Sequence, residues 1–198
     1  MKSIAEIFSS YEVLDEHGRH VNGTDKNGPN HRYGDAYERL FEFNDTVYGR
    51  YSIRPSIKLM MEVGIADGSS LCAWRDIFSS ALCVGLDIHH SDKAHGERIE
   101  FHRGDATVQR DCEEAAAGRQ FDFICEDATH LLQDSLLTLL YLWPYVRPGG
   151  LYVIEEFSNV GALRRNIVAL WPYAEIIDTN GPFGGVEPLV VLRKPYES

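Results

Sequence analysis

Residues 121–157 read FDFICEDATHLLQDSLLTLLYLWPYVRPGGLYVIEEF, and they hold the side chains best suited to chemistry. Two apolar runs each end in acids. The first closes on Glu126-Asp127 with His130 just after it, and the second closes on Glu155-Glu156. If the runs are neighbouring parallel strands, Asp127, Glu155, Glu156 and His130 share one edge of a sheet. Crowded carboxylates repel one another unless they are protonated or bridged by a cation. A hard divalent ion is the natural bridge, and Mg²⁺ keeps positions open for water or substrate. Such an ion fixes a substrate hydroxyl and lowers its pKa. The His130 imidazole can take the released proton. A plainer reading stays open at this point. Asp127 can cap a helix that starts near Leu131, and Glu155 and Glu156 can favour the N-terminus of the next helix.

A second constellation lies upstream, in LMMEVGIADGSSLCAWRDIFSSALCVGLDIHH, residues 59–90. It reads as strand, Gly-rich turn, helix, strand. Glu62, Gly64 and Gly68 make the pattern E-x-G-x-x-x-G, and Asp87 ends the second strand. An acid about 20 residues beyond such glycines can reach a ribose. Its two oxygens suit two vicinal hydroxyls. Ser69 is placed to cap the helix, whose free N–H groups welcome a carboxylate. After the third strand, Gly104-Asp105-Ala106 puts Asp105 where an adenine amino group could lie. Candidate cofactor contacts therefore run over Glu62, Gly64, Ile65, Gly68 and Ser69, then Asp87 and Ile88, then Gly104, Asp105 and Ala106. The dinucleotide pattern G-x-G-x-x-G is broken by Ala66, so the spacing favours S-adenosylmethionine over a dinucleotide. The alternative is that the glycines only make a tight turn.

These groups need a scaffold. Strands are expected at Lys58–Val63, Leu82–Asp87, Ile99–His102, Phe121–Cys125, Leu151–Glu155, Tyr173–Asp178 and Pro188–Arg193. Helices are expected at Ser70–Phe78, Val108–Ala117, Leu132–Val146 and Val160–Leu170. This alternation predicts an α/β, Rossmann-like, doubly wound and mainly parallel sheet with helices on both faces. RPGG before Leu151 reads as a turn. Upstream, Ser3–Leu14 reads as one amphipathic helix, Asp15–Arg32 as a polar loop and Tyr33–Phe43 as another helix. Residues 1–50 are thus expected to form an arm whose His31, Arg32 and Tyr33 close over the site, and residues 51–198 the cofactor-binding domain. Phe157–Gly161 and Asn180–Val186 are candidate substrate loops.

Composition narrows the function. The 198 residues carry a formal net charge of −11 without a basic patch, which argues against nucleic acid as a partner. The four cysteines form no C-x-x-C pair, consistent with a reducing cytoplasm. No apolar run has the length of a signal peptide core or a membrane span.

With both constellations quoted, the chain resembles the class I S-adenosylmethionine-dependent methyltransferases. It looks most like the macrolide-sugar O-methyltransferases of the mycinamicin and tylosin type. The resemblance runs from about Thr24 to Glu156. TDKNGPNHRYGDAYERLF is similar to the family's segment leading into the core, and EVGIADGSSLCAWRDIF with VGLDI is similar to its cofactor turn and ribose acid. EDATH, VRPGG and YVIEE follow the family's D-x-S-H, V-R-P-G-G and V-I-E-D motifs in order. The resemblance implies metal-dependent methyl transfer to a hydroxyl of a small sugar-like or polyol natural product. It carries the metal to Asp127, Glu155 and Glu156, and the catalytic roles to His130 and Asp127. It also implies a seven-stranded sheet whose last strand is antiparallel. Thr129 stands for the family's Ser and Glu156 for its Asp, and the macrolide itself is not carried over as substrate. Two rivals share the scaffold: a cephalosporin-hydroxylase-like enzyme and a non-catalytic cofactor-binding protein. The expected partner is a small-molecule substrate with a hydroxyl or vicinal diol, and a homo-oligomer is compatible with the pattern.

Overall fold

Apolar strands alternating with amphipathic helices build this molecule, whose computed structural model describes residues 2–17, 20–27, 33–45, 49–156, 160–171, 174–177 and 189–196. The N-terminal part comprises α1 (Ile4–Ser9), β1 (Glu12–Leu14), β2 (His20–Gly23), α2 (Tyr33–Phe41), β3 (Glu42–Asp45) and β4 (Gly49–Ser52). The remainder alternates: β5 (Leu59–Val63), α3 (Ser69–Ile77), β6 (Leu82–Asp87), β7 (Ile99–Arg103), α4 (Gln109–Ala116), β8 (Phe121–Glu126), α5 (Leu132–Leu142), β9 (Val146–Ile154), α6 (Val160–Leu170), β10 (Ala174–Ile177) and β11 (Leu189–Arg193).

Seven strands form one sheet in the order β10-β11-β9-β8-β5-β6-β7. β5, β6, β7, β8 and β9 pair in parallel, and β11 runs antiparallel to both β9 and β10. The last strand is reversed, as the resemblance implies. Strand order reverses at β5, between β6 and β8, which opens a crevice at the carboxyl edge.

Three local expectations are corrected. The helix expected over Ser3–Leu14 stops at Ser9, and Glu12–Leu14 pairs with His20–Gly23 as an antiparallel hairpin. Ser3 and Glu6 close a capping box at the start of α1. The apolar face of α1 ends at Phe8, and the chain then turns back through a segment expected as plain loop. RPGG is not a free turn either. It sits inside β9 as a bulge, with Arg147–Gly150 opposite Asp122 alone, because Phe121 pairs with Val146 and Phe123 with Leu151. Arg147 donates to Asp122, whose other oxygen accepts the backbone N–H groups of Lys58 and Leu59 at 2.7 and 2.9 Å. Ser69 is the first helical residue of α3, while Gly68, at φ 86°, is its N-cap.

The first helices belong to the core. α1 and α2 bury Phe8, Tyr37 and Phe41 on one face of the sheet, against Trp74, Phe78 and Phe123. Each such aromatic contributes roughly 1.5–3 kcal/mol by leaving water. The opposite face is covered by α4 and α5, with Cys112, Leu139 and Leu142 buried over Val84, Ile124 and Ile154. All four cysteines are free thiols. No described helix is long and apolar enough to cross a membrane.

Candidate active site

The crevice at the carboxyl edge has a cavity half and a half of buried charge. The first begins where β5 ends. Gly64 stands at φ 79°, and a Cβ there would lie 2.2 Å from the Asp127 carbonyl oxygen, so only glycine lets this turn pass the end of β8. Backbone ties hold the strand ends together: Gly64 N–H donates to the Leu86 carbonyl at 2.9 Å, and Asp127 N–H donates to the Val63 carbonyl at 2.8 Å.

A cavity of about 300 Å³ opens above these ends. Its walls are Val63, Gly64, Ala66, Leu86, Asp87, Ile88, His89, Gly104, Asp105, Ala106, Thr107, Asp127, Ala128, Thr129, Asp134 and Thr138. Of the expected cofactor residues it gathers Gly64, Asp87, Ile88, Gly104, Asp105 and Ala106. It does not gather Glu62, Ile65, Gly68 or Ser69. Glu62 lies wholly buried behind the turn, where it accepts from Ser70 Oγ at 2.9 Å and Trp74 Nε1 at 3.1 Å. Ile65 is core, and the Ser69 hydroxyl accepts from Lys93. The Asp87 carboxylate braces the turn. One oxygen accepts from Ile65 N–H and Ala66 N–H, and the other from His89 N–H at 2.8 Å. Four lone pairs less these three bonds leave one acceptor position for a ligand hydroxyl. Asp105 Oδ1 is held by Thr107 through its N–H and its hydroxyl.

The charged half is built around a residue given no role by sequence reasoning. Lys26 is 1% exposed. Its ammonium donates to Asp127 Oδ2 at 2.7 Å and to Glu155 Oε2 at 2.6 Å, with Glu62 Oε1 at 3.4 Å. Burial alone would lower the Lys26 pKa, but the Asp127 and Glu155 charges outweigh it and hold the ammonium well above the usual range. The other Glu155 oxygen accepts the Tyr37 hydroxyl, with Cys125 Sγ at 3.2 Å. Glu155 therefore faces inward, into an ion-pair group, and away from its expected companions Asp127 Oδ1 and Glu156.

Those companions meet His130 instead. One ligand atom each from Asp127, His130 and Glu156 lie within 4.8 Å of one another. His130 Nε2 is 3.4 Å from Glu156 Oε2, and Nδ1 is 3.9 Å from Asp127 Oδ1. Nδ1 is buried and makes no hydrogen bond among the described residues. His130 and Glu156 both have left-handed backbones, at φ 57° and 49°, a strained state for non-glycine residues that functional sites tend to hold. Burial pushes the Asp127 carboxyl up to about 7 against the pull of Lys26, and the Glu155 charge adds to the rise. Two carboxylates and an imidazole so close, with one Asp127 oxygen turned toward the group, fit a divalent cation by donor chemistry.

Sequence reasoning also missed Thr107, Asp134 and Thr138 as cavity walls, and Tyr37 as a partner of Glu155. Tyr37 lies among the buried residues of α2, and nothing beside it in the sequence marks its bond to Glu155. His31, Arg32 and both candidate substrate loops, apart from Val160 and Gly161, lie outside the described residues. Tyr33 is described, and it is buried in the core.

No family model matches the chain. In sequence it is similar to the demethylmacrocin O-methyltransferase of Streptomyces fradiae, 33% identical over 141 residues, with 67% of this chain and 33% of that protein covered. It is also similar to the mycinamicin VI 2''-O-methyltransferase of Micromonospora griseorubida, 36% identical over 110 residues, with 49% of this chain and 26% of that protein covered. The chain thus spans about a third of the length of the curated relatives it matches. Among solved structures, the MycE methyltransferase of the mycinamycin pathway, determined with Mg and S-adenosylhomocysteine, superposes with a TM-score of 0.73 at 20% identity. It covers 98% of this chain and 55% of that one. An O-methyltransferase from Bacillus cereus gives a TM-score of 0.52 at 20% identity over 72% of this chain and 77% of that one.

Proposed function

We propose that this chain, which has the fold of the class I S-adenosylmethionine-dependent methyltransferases and resembles the macrolide-sugar O-methyltransferases, transfers a methyl group from S-adenosylmethionine to a hydroxyl of a small sugar-like or polyol natural product. One observation carries the reading: Asp127 lines the cavity and also belongs to the acid-imidazole group. A donor in the cavity and an acceptor on that group would therefore be adjacent.

The cavity walls at Asp87 and Asp105 are suited to ribose and adenine, and the Gly64 turn lets backbone approach the ligand. Asp127 and Glu156 would hold a divalent ion, Mg²⁺ by the analogy with MycE. When bound, the methyl donor supplies an electrophilic carbon on sulfur, and the ion supplies charge that favours a deprotonated hydroxyl. His130 takes the hydroxyl proton at Nε2, while Asp127 beside Nδ1 and Glu156 beside Nε2 steady the resulting imidazolium. The neighbouring walls hold acceptor and donor in line, and alignment of this kind supplies much of a transfer rate. The first fifty residues act here as part of the site, through Lys26 and Tyr37.

The test is labelled methyl transfer to a panel of sugars, glycosides and catechols, with and without chelator. The reading predicts products heavier by one methylene, no turnover in chelator and recovery with Mg²⁺. Products heavier by one oxygen, or tight cofactor binding without turnover on any substrate, would replace it with one of the two rivals.

A further inference from the structure

We propose that Lys26 is a built-in cation that claims one side of the acid cluster and so decides where a divalent ion binds. The inference rests on the metal reading above and deepens it. Three carboxylates surround the Lys26 ammonium, which donates to Asp127 Oδ2 and Glu155 Oε2 and has Glu62 Oε1 3.4 Å away as an ion pair. Glu155 has both oxygens engaged, Oε2 by Lys26 and Oε1 by Tyr37 and Cys125, and the one lone pair left lies on Oε2 beside the Lys26 ammonium, where a second cation is repelled. Asp127 is divided. Its Oδ2 belongs to Lys26, and its Oδ1 turns toward His130. The ion is left the outer bite of Asp127 Oδ1 and Glu156, and Glu155 becomes a support that holds Lys26.

The arrangement also ties the N-terminal segment to the site. Lys26 reaches 101 residues along the chain to Asp127 and 129 to Glu155. Its own backbone is anchored by Tyr33 N–H at 3.0 Å, at the start of α2, and by the Thr24 hydroxyl. Packing of α2 against the sheet therefore delivers the charge. Lys26 is a positioning residue, acting on substrate only through Asp127.

The experiment is a Mn²⁺ titration followed by electron paramagnetic resonance, without substrate, on the whole chain and on K26R, K26M and E155Q. Wild type and K26R should bind one ion alike. K26M removes a positive charge beside the ion, and it should bind Mn²⁺ about tenfold more tightly, because a unit charge at this range is worth more than a kcal/mol even in a polar environment. Its Tm should also rise more on adding Mn²⁺ than that of wild type. E155Q removes a negative charge at similar range, so it should weaken binding by about tenfold and no more. Equal or weaker binding by K26M, or a loss of about a hundredfold or more in E155Q, would overturn the inference while leaving the metal reading intact. If K26M does not fold, E155Q decides alone. Absence of Mn²⁺ binding in all four proteins would overturn both.

Discussion

The two halves of the crevice are made in opposite ways. The cavity half is built mostly from one stretch, the Gly64 turn, the ends of β6 and β7 and the backbone N–H groups that lock Asp87, with Asp127, Ala128, Thr129, Asp134 and Thr138 closing it. The acid half is assembled across the chain, with Lys26 from the N-terminal segment reaching acids at the ends of β8 and β9. One half works by shape and backbone, and the other by charge held out of water. Local geometry survives many substitutions, whereas buried charge depends on every partner being present.

Substitutions can separate the halves, and the largest effect is expected in the charged one. His130→Ala should lower kcat by about 10³-fold, the usual worth of a proton acceptor, with S-adenosylhomocysteine affinity unchanged. Calorimetric titration beside a methyl-transfer assay checks this. Equal losses in both would mean that the halves are not separable. Gly64→Ala should break both at once. Its Cβ meets the Asp127 carbonyl oxygen at 2.2 Å in a left-handed backbone, costing roughly 3 kcal/mol in chemical denaturation.

A pH effect should also be confined to the charged half. Burial pushes the Glu126 carboxyl from 4.5 up to about 7, with Ser135 and the Ala128 N–H opposing the rise. The folded state then holds this proton more tightly than the unfolded state. Stability falls as pH rises from about 4.5 to about 7 and stays flat above. Asp127, raised from 3.8 to about 7, adds to the same slope. Glu126→Gln should flatten the slope without abolishing it and gain roughly 2 kcal/mol at pH 8, with no gain near pH 4, in chelator. Denaturation at the two pH values checks the sign. The smallest effect belongs to the cavity half. Asp87→Asn keeps the shape but replaces an acceptor oxygen, and it should weaken cofactor binding about tenfold, leaving Mn²⁺ binding unchanged.

The same contrast explains what the sequence revealed. The sheet was legible because each strand of β5, β6 and β8 is a short apolar run that ends in a turn or an acid. Gly64 and Asp87 were legible because backbone geometry demands them within one βαβ unit. Glu62 misled: the E-x-G spacing is right, but a buried acid answers to its hydrogen-bond partners, and those are Ser70, Trp74 and Lys26. Glu155 and Glu156 are adjacent just past the end of β9, and the left-handed turn at Glu156 sends them to different places, one into the core and one to the edge. Lys26 lies in a polar stretch with no periodicity, and nothing local marks it as buried. Only the packing of α2 brings it to the acids. The break after α1 was hidden because Tyr11 continues the helical spacing while the backbone has already turned toward a hairpin.

The central claim is a cofactor cavity sharing Asp127 with an outer metal position, and a crystal grown with S-adenosylhomocysteine and Mn²⁺ tests it most directly. The account predicts the nucleoside between Asp87 and Asp105, one anomalous peak on Asp127 and Glu156, and Lys26 still paired with Glu155. A peak between Asp127 and Glu155 with Lys26 displaced, or a nucleoside outside the cavity, would contradict it.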